Sequence, residues 1–103
     1  MGNALEVKEA VDTLKGQGPE DFTELCYTLG SCMLMEGGIA DNKEESRAML
    51  QDSIKSGRAL NKLAEFIESQ GGNREDVYNT DSLPKASLKE AVLSPDDGYV
   101  SRI

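Results

Sequence analysis

The sequence predicts a mainly α-helical chain, in which a four-helix segment is followed by two strands that begin a β-rich domain. Up to residue 72, apolar residues recur at the three- and four-residue spacing of amphipathic helices, and glycines end each stretch. After residue 72 this spacing is lost and turn-forming residues become frequent. We therefore divide the chain into a helical segment (1–72), a linker (73–84) and the start of a truncated C-terminal β-rich domain (85–103).

Caps and apolar stripes mark the first two helices. Asn3 and Glu6 have the spacing of a capping box, and Pro19 suits the first turn of the second helix. Glycines follow both helices. The predicted inward-facing stripes comprise Ala4, Val7, Ala10, Val11 and Leu14 on the first helix, and Phe22, Leu25, Cys26, Leu29 and Met33 on the second.

The third and fourth helices are predicted in the same way. Asp41 and Glu44 suggest a second capping box, Ser56-Gly57 separates the two helices, and Gly71-Gly72 ends the fourth. The predicted apolar faces comprise Ala48, Leu50 and Ile54 on the third helix, and Ala59, Leu60, Leu63, Ala64, Phe66 and Ile67 on the fourth.

The remaining residues predict a polar linker and a hairpin. One more helical turn is expected at 73–78, and strands are expected at 85–93 and 98–103, with a Ser-Pro-Asp-Asp-Gly turn at 94–98. An isolated two-stranded hairpin is marginal in water, and here the outer edge of the second strand has no partner. We therefore expect these strands to belong to a larger β-rich part.

Charge and cysteine usage narrow the functional classes. The 19 acidic and 11 basic residues give a net charge of −8, which repels phosphate backbones and anionic lipid headgroups. We therefore expect no nucleic-acid partner and no membrane partner. Cys26 and Cys32 point in different directions on one helix, and we interpret them as buried, reduced thiols of a cytoplasmic protein.

Catalytic chemistry is sparse in this sequence. The chain has no His, and its Gly-Gln-Gly and Gly-Gly stretches lack the residues of a phosphate-binding loop. We therefore predict neither a catalytic nor a cofactor-binding residue in this segment. By itself, the segment should not catalyse a reaction.

One carboxylate on the first helix is a candidate site residue. Leu5 and Glu9 form an i,i+4 pair on the face opposite the apolar stripe. An apolar residue there suggests that this face also contacts protein, in which case Glu9 would be partly desolvated and would need a cation or a donor. An ordinary solvated glutamate is the alternative that the sequence leaves open.

Seven short motifs occur in a fixed order along the chain. They are Gly-Asn-Ala-Leu-Glu-Val-Lys-Glu-Ala (2–10), Leu-Lys-Gly-Gln-Gly-Pro-Glu-Asp (14–21), Thr-Glu-Leu-Cys (23–26), Thr-Leu-Gly-Ser (28–31), Gln-Gly-Gly (70–72), Leu-Pro-Lys-Ala (83–86) and Asp-Gly-Tyr-Val (97–100). Their order and spacing resemble the pyrimidine-nucleoside phosphorylase and thymidine phosphorylase family. The resemblance covers the whole chain but only a middle-to-late portion of the family's chain.

The resemblance implies part of a larger α/β enzyme. That enzyme splits a pyrimidine nucleoside with inorganic phosphate into the free base and a pentose 1-phosphate, and it is a homodimer. The rest of the enzyme would be the partner of this chain. The family's Lys-His-Ser-Thr-Gly-Gly phosphate-binding segment and its base-reading Arg, Ser and Lys lie upstream and have no counterpart here. The segment would therefore be inactive in isolation.

The resemblance also implies a role for Glu9. It matches the family glutamate that holds a structural cation, usually potassium, together with backbone carbonyls. Those carbonyls would come from loops before Met1, so potassium is expected in the full-length enzyme and no cofactor is expected in this segment.

Two alternatives come from other functional classes. One is a freestanding helical protein-interaction module, and the other is a regulatory or structural domain of the same superfamily, which also includes anthranilate phosphoribosyltransferase. If the helices fold together, the expected core comprises Val7, Val11, Leu14, Phe22, Leu25, Leu29, Leu50, Ile54, Leu63, Phe66 and Ile67.

Overall fold

The computed structural model describes residues 3–102, which contain five α-helices and one short 3-10 turn. The helices are α1 (Asn3–Leu14), α2 (Glu20–Glu36), α3 (Lys43–Lys55), α4 (Arg58–Ser69) and α5 (Glu75–Tyr78), and the 3-10 turn spans Thr80–Ser82. The mainly α class, the four predicted helices and the additional turn at 73–78 are thus confirmed.

The helix ends follow the glycines of the sequence. At the end of α2, the Gly38 amide donates to the Met35 carbonyl at 3.0 Å, and the Ile39 amide donates to the Leu34 carbonyl at 2.9 Å. This arrangement requires a left-handed residue, and Gly38 supplies it with a φ of 66°. The helices α1 and α4 end in the same way, so glycine placement predicts all three ends.

The predicted helix starts are less accurate. Asn3 is already helical in α1, so it is not the cap that the sequence suggested. The cap of α3 is Asn42, whose side chain accepts a hydrogen bond from the Glu45 amide at 2.9 Å. The Glu45 carboxylate accepts one from the Asp41 amide at 2.9 Å. The observed cap therefore lies one residue after the predicted one, and the Glu45 carboxylate bonds the residue that precedes the cap.

A small core joins α1, α4 and α5. Val11, Ala64 and Val77 are almost completely buried, and the core is extended by three partly buried side chains of α4, which are Leu60, Leu63 and Ile67. Val77 belongs to the stretch predicted as a linker (73–84), so this stretch contributes to the core. The Tyr78 hydroxyl donates to Asn61 Oδ1 of α4 at 3.0 Å and holds α5 in place.

The orientation of α2 differs from the prediction. Its inward side carries Thr23, Tyr27, Gly30, Ser31 and Leu34, which are buried or half-buried. The side chains of the predicted core stripe face solvent instead, and the exposed fractions are 37% for Phe22, 52% for Leu25, 57% for Leu29 and 73% for Met33. Both cysteines of this helix are unpaired but exposed, so the expectation that they are buried is wrong.

Two further residues of the predicted core are also exposed, one on α4 and one on α1. Phe66 of α4 is 60% exposed and Val7 of α1 is 37% exposed, because the described helices leave these faces uncovered. On α3, Ala48 is exposed, and the inward side is formed by Ser46, Leu50, Ser53 and Ile54. The core of the described residues is therefore smaller than predicted.

The two predicted strands are not confirmed. Residues 83–102 contain no helix or strand, and the structure has no strand anywhere between residues 3 and 102. The last predicted strand residue, Ile103, lies outside the described residues. The apolar side chains of this segment remain in solvent, as the exposed fractions of 96% for Val92 and 84% for Leu93 illustrate. Two short strands without a partner sheet bury too little to form a stable ladder.

The exposure of the α2 stripe predicts unequal effects of two core-directed substitutions. Val11→Ala should lower the free energy of unfolding of this chain by about 1–3 kcal/mol, because it removes buried methyl groups. Leu29→Ala should change it by less than about 0.5 kcal/mol, because Leu29 is mostly in solvent. Urea unfolding followed by circular dichroism measures both values, and equal costs would contradict this packing.

Candidate functional site

The contact between α2 and α3 is built from small residues. A Cβ atom at Gly30 would lie 3.0 Å and 3.3 Å from the two Cδ atoms of Leu50, so the glycine lets α3 approach the backbone of α2. Ser31 of α2 and Ser46 of α3 are buried, and the Ser46 hydroxyl donates to the Asn42 carbonyl at 2.8 Å. The small side of α2 therefore faces α3.

A polar clamp fixes one edge of this contact. Arg47 of α3 donates two parallel hydrogen bonds to the Glu24 carboxylate of α2, at 2.8 Å and 2.5 Å. The same guanidinium lies 4.8 Å from the centre of the Tyr27 ring. Bidentate geometry and ring stacking are both specific to arginine. The hydrogen bonds from Arg47 lower the pKa of Glu24 below its ordinary value.

The outward side of α2 is a continuous apolar surface. We call the set of Phe22, Leu25, Cys26, Leu29 and Met33 the α2 stripe. At about 100° per residue, these five positions fall within a sector of about 100° on the helix surface. Glu36, in the last turn of α2, is the one charged residue of the helix whose position falls inside this sector. In the described residues, the stripe is thus an apolar helix face without a covering layer.

The predicted metal ligand, Glu9, is exposed on α1. Its backbone carbonyl accepts a hydrogen bond from the Thr13 hydroxyl at 2.8 Å, which leaves the carboxylate outside this contact. Within residues 3–102, no group of three or more His, Cys, Asp or Glu side chains could hold a metal ion. The structure therefore brings no second acidic ligand set to Glu9, and the metal assignment remains a prediction.

The neighbour of Glu9 on the same face, Leu5, is 66% exposed. It lines a cleft of about 270 Å³ between the start of α1 and the segment after α5, together with Leu83 and Pro84. Lys8 and Lys85 also border this cleft, and they form ion pairs with Asp12 at 2.7 Å and Asp81 at 3.2 Å. The face opposite the apolar stripe of α1 thus borders an open cleft beside Leu5.

The architecture of the described residues indicates what kind of protein segment they form. They form a thin helical layer, with a small-residue contact on one side of α2 and an uncovered apolar stripe on the other. Across residues 3–102, no helix combines the length and apolar character needed to cross a bilayer. This architecture is typical of a layer that packs against further polypeptide.

Comparison with known proteins shows which enzymes this segment is similar to. Over all 103 residues, the chain is 48% identical to the pyrimidine-nucleoside phosphorylases of Geobacillus stearothermophilus and of Bacillus subtilis (strain 168). It is 46% identical to the pyrimidine-nucleoside phosphorylase of Staphylococcus aureus (strain USA300). The chain spans 24% of the length of each of these relatives. No protein-family profile matches it.

The resemblance deduced from the seven motifs is therefore confirmed. The chain corresponds, along its whole length, to about a quarter of a pyrimidine-nucleoside phosphorylase.

The Glu24–Arg47 clamp predicts a pH-dependent contribution to stability. Because the pKa of Glu24 is lowered in the folded chain, the pair stabilises it at neutral pH. This stabilisation should begin to fall below the unfolded pKa of about 4.3 and disappear as the pH passes through the lowered folded value. Melting temperatures of the wild type and Glu24→Gln across this range should therefore converge in acid.

The control for this experiment is the same substitution in an Arg47→Met background. Without the guanidinium, Glu24→Gln should shift the melting temperature by an amount that varies little with pH. A difference between wild type and Glu24→Gln that persists unchanged in acid would contradict the clamp.

Proposed function

We propose that this chain is a segment of an enzyme that phosphorolyses pyrimidine nucleosides. The supporting observation is the identity of 48% to pyrimidine-nucleoside phosphorylases over every residue of the chain. In the proposed reaction, inorganic phosphate attacks the anomeric carbon of the nucleoside while the bond to the base nitrogen breaks. The products are the free base, which takes up a proton, and a pentose 1-phosphate.

The segment would serve this reaction as architecture rather than as chemistry. We propose no catalytic residue in it, and the phosphate- and base-binding groups would come from the rest of the polypeptide. The division into a helical segment (1–72), a linker (73–84) and the start of a β-rich domain (85–103) belongs to this proposal. The cytoplasm and a homodimer are the proposed location and assembly.

The strands at 85–93 and 98–103 are proposed to form in the intact enzyme. Their apolar side chains are almost fully exposed here, with exposed fractions of 80% for Leu88 and 79% for Val100. A neighbouring sheet would pair the backbone of these strands and cover those side chains.

A freestanding helical interaction module is the second candidate, and the exposed α2 stripe is the observation that favours it. Such a module would also present an apolar helix face to a partner. Such a module does not explain why the similarity to an enzyme extends over residues 83–102, which contain no helix. The phosphorylase assignment accounts for both parts of the chain.

Activity measurements distinguish the two functions. The intact polypeptide that contains this chain should release the base from uridine or thymidine in the presence of phosphate, whereas the 103-residue chain should release none. In the gene, a Lys-His-Ser-Thr-Gly-Gly coding segment is expected in frame upstream. Phosphorolysis by the isolated chain, or an intact polypeptide without that segment and without activity, would refute the assignment.

Glu9 is proposed to hold a structural potassium ion in the intact enzyme. The exposure of Glu9 on α1 and the cleft lined by the neighbouring Leu5 support this role, since both leave this face of α1 open to further polypeptide. Hard cations need several oxygen ligands, which Glu9 alone cannot supply. The remaining ligands would be backbone carbonyls of residues preceding this chain.

This role predicts a potassium-specific stabilisation. Potassium chloride should raise the melting temperature of the intact enzyme more than sodium chloride does, and Glu9→Gln should abolish the difference. Glu6→Gln is the matched control, because Glu6 is an exposed carboxylate on the same helix. If potassium raised the melting temperature of the isolated chain and Glu9→Ala removed that effect, the requirement for external ligands would be wrong.

A further inference from the structure

A polar cleft lies between α2 and α3, on the side of α2 opposite the α2 stripe. Its volume is about 180 Å³, and the proposed function makes no use of it. Because its lining residues recur at three- and four-residue spacing on each helix, one ridge of α2 and one ridge of α3 bound the cleft. The lining comprises Glu24, Tyr27, Thr28 and Ser31 of α2, and Lys43 and Arg47 of α3.

The charges in this cleft favour an anion. Its lining carries two cationic side chains, Lys43 and Arg47, and a single carboxylate, Glu24. Arg47 already binds that carboxylate through two hydrogen bonds, and its guanidinium has further N–H donors. The carboxylates of Glu44 and Glu45 follow Lys43 in the first turn of α3 but do not border the cleft. The lining is therefore locally positive in a chain whose net charge is −8.

The Ser31 hydroxyl is a buried polar group whose bonding capacity is unused. The other two buried hydroxyls each donate to a backbone carbonyl at 2.8 Å, Thr13 to Glu9 and Ser46 to Asn42. Ser31 is only 6% exposed, yet its hydroxyl has no hydrogen-bond partner among residues 3–102. Every completely buried side-chain oxygen or nitrogen in these residues has a partner, so the Ser31 oxygen must reach the cleft that the residue lines. A ligand oxygen there would satisfy it.

We propose that this cleft binds a phosphoryl oxyanion, either free phosphate or the phosphate group of a monoester. Pockets for drug-sized ligands measure about 300–1,000 Å³, so a cleft of this size suits a small polyatomic ion. A phosphoryl group presents several acceptor oxygens, which matches donors that converge from two helices.

Each lining residue has a distinct part in the proposed site. The Lys43 ammonium supplies a point charge, and the hydroxyls of Thr28 and Ser31 donate to the phosphoryl oxygens. Arg47 supplies its remaining N–H donors, while its pairing with Glu24 compensates the one charge that an anion must avoid. This site lies within the chain itself and does not depend on the proposed enzymatic reaction.

A titration of the 103-residue chain with inorganic phosphate tests the site. Followed by ¹H–¹⁵N NMR, it should shift the amide signals of Thr28, Ser31 and Lys43 along one saturable curve, which chloride at equal ionic strength does not produce. Lys43→Gln should weaken binding about tenfold and Ser31→Ala about threefold, since a hydrogen bond to a charged group contributes more than a neutral one.

The matched control is Lys55→Gln, which removes the same charge from an exposed lysine at the other end of α3. Lys55 does not line the cleft, so this variant should bind phosphate like the wild type. Equal losses for Lys43→Gln and Lys55→Gln would reveal unspecific attraction and overturn the site.

Ribose 1-phosphate distinguishes the two sources of the phosphoryl group. An affinity no higher than that of inorganic phosphate would support free phosphate as the ligand, because the pentose then makes no contact. A higher affinity for ribose 1-phosphate would support a monoester. If neither compound shifted the three amide signals in a saturable way, the proposal would be wrong.

The intact polypeptide provides the second measurement. Phosphate should raise its melting temperature, and Lys43→Gln should remove a part of this rise that Lys55→Gln retains. Any other phosphate site contributes equally to both variants. If the two variants respond equally, other residues fill the cleft and the site is refuted, whatever the isolated chain binds. The result is independent of phosphorolysis, which is assayed separately.

Discussion

Leu50 of α3 approaches the backbone of α2 at Gly30 so closely that even a methyl group at this position would press against it. This contact, with the buried Ser31 and Ser46 beside it, determines which side of α2 faces the protein. The Arg47–Glu24 pair joins the two helices along the edge of this contact and is compatible with the same orientation. Once the small side of α2 faces inward, its large apolar side chains must face outward.

The outward orientation of the large apolar side chains of α2 leaves the molecule with a small core. The completely buried side chains are few, and the radius of gyration is 16.8 Å, whereas a compact domain of about 100 residues has about 13 Å. Part of this difference comes from the exposed C-terminal segment, and part from helices that cover one another on one side only. A layer of this kind suits a position within a larger enzyme, where other layers complete the packing.

The sequence was a reliable guide to the helices and their C-terminal ends, since the determinants of helix ends lie within a few residues. Gly38 ends α2 because the chain needs a left-handed residue there, and the sequence contains that information directly. The start of α3 was misplaced by one residue because Asp41 and Asn42 are both good caps, and only the hydrogen bonds select Asn42.

Burial could not be deduced in the same way. The stripe with Leu29 was correctly identified as apolar, but periodicity does not state whether the covering surface lies within the chain. The helical turn at 73–78 was predicted, but the burial of Val77 was missed, because a four-residue helix has no periodic pattern that shows which side faces inward. The surroundings of Glu9 could not be deduced from the sequence either. A cation bound by a carboxylate takes its other ligands from distant segments of the chain. The family itself was predictable, because seven ordered motifs specify it more strongly than any single contact.

The central claim is that α2 presents its small residues to α3 and its stripe to solvent in the isolated chain. Paramagnetic relaxation by a soluble gadolinium chelate, measured on methyl groups by NMR, tests it most directly. The methyl signals of Leu25, Leu29 and Met33 should broaden strongly, whereas those of Val11 and Val77 should broaden little. If the methyl signals of Leu29 broadened as little as those of Val11 in a monomeric chain, α2 would be rotated and this account would be wrong.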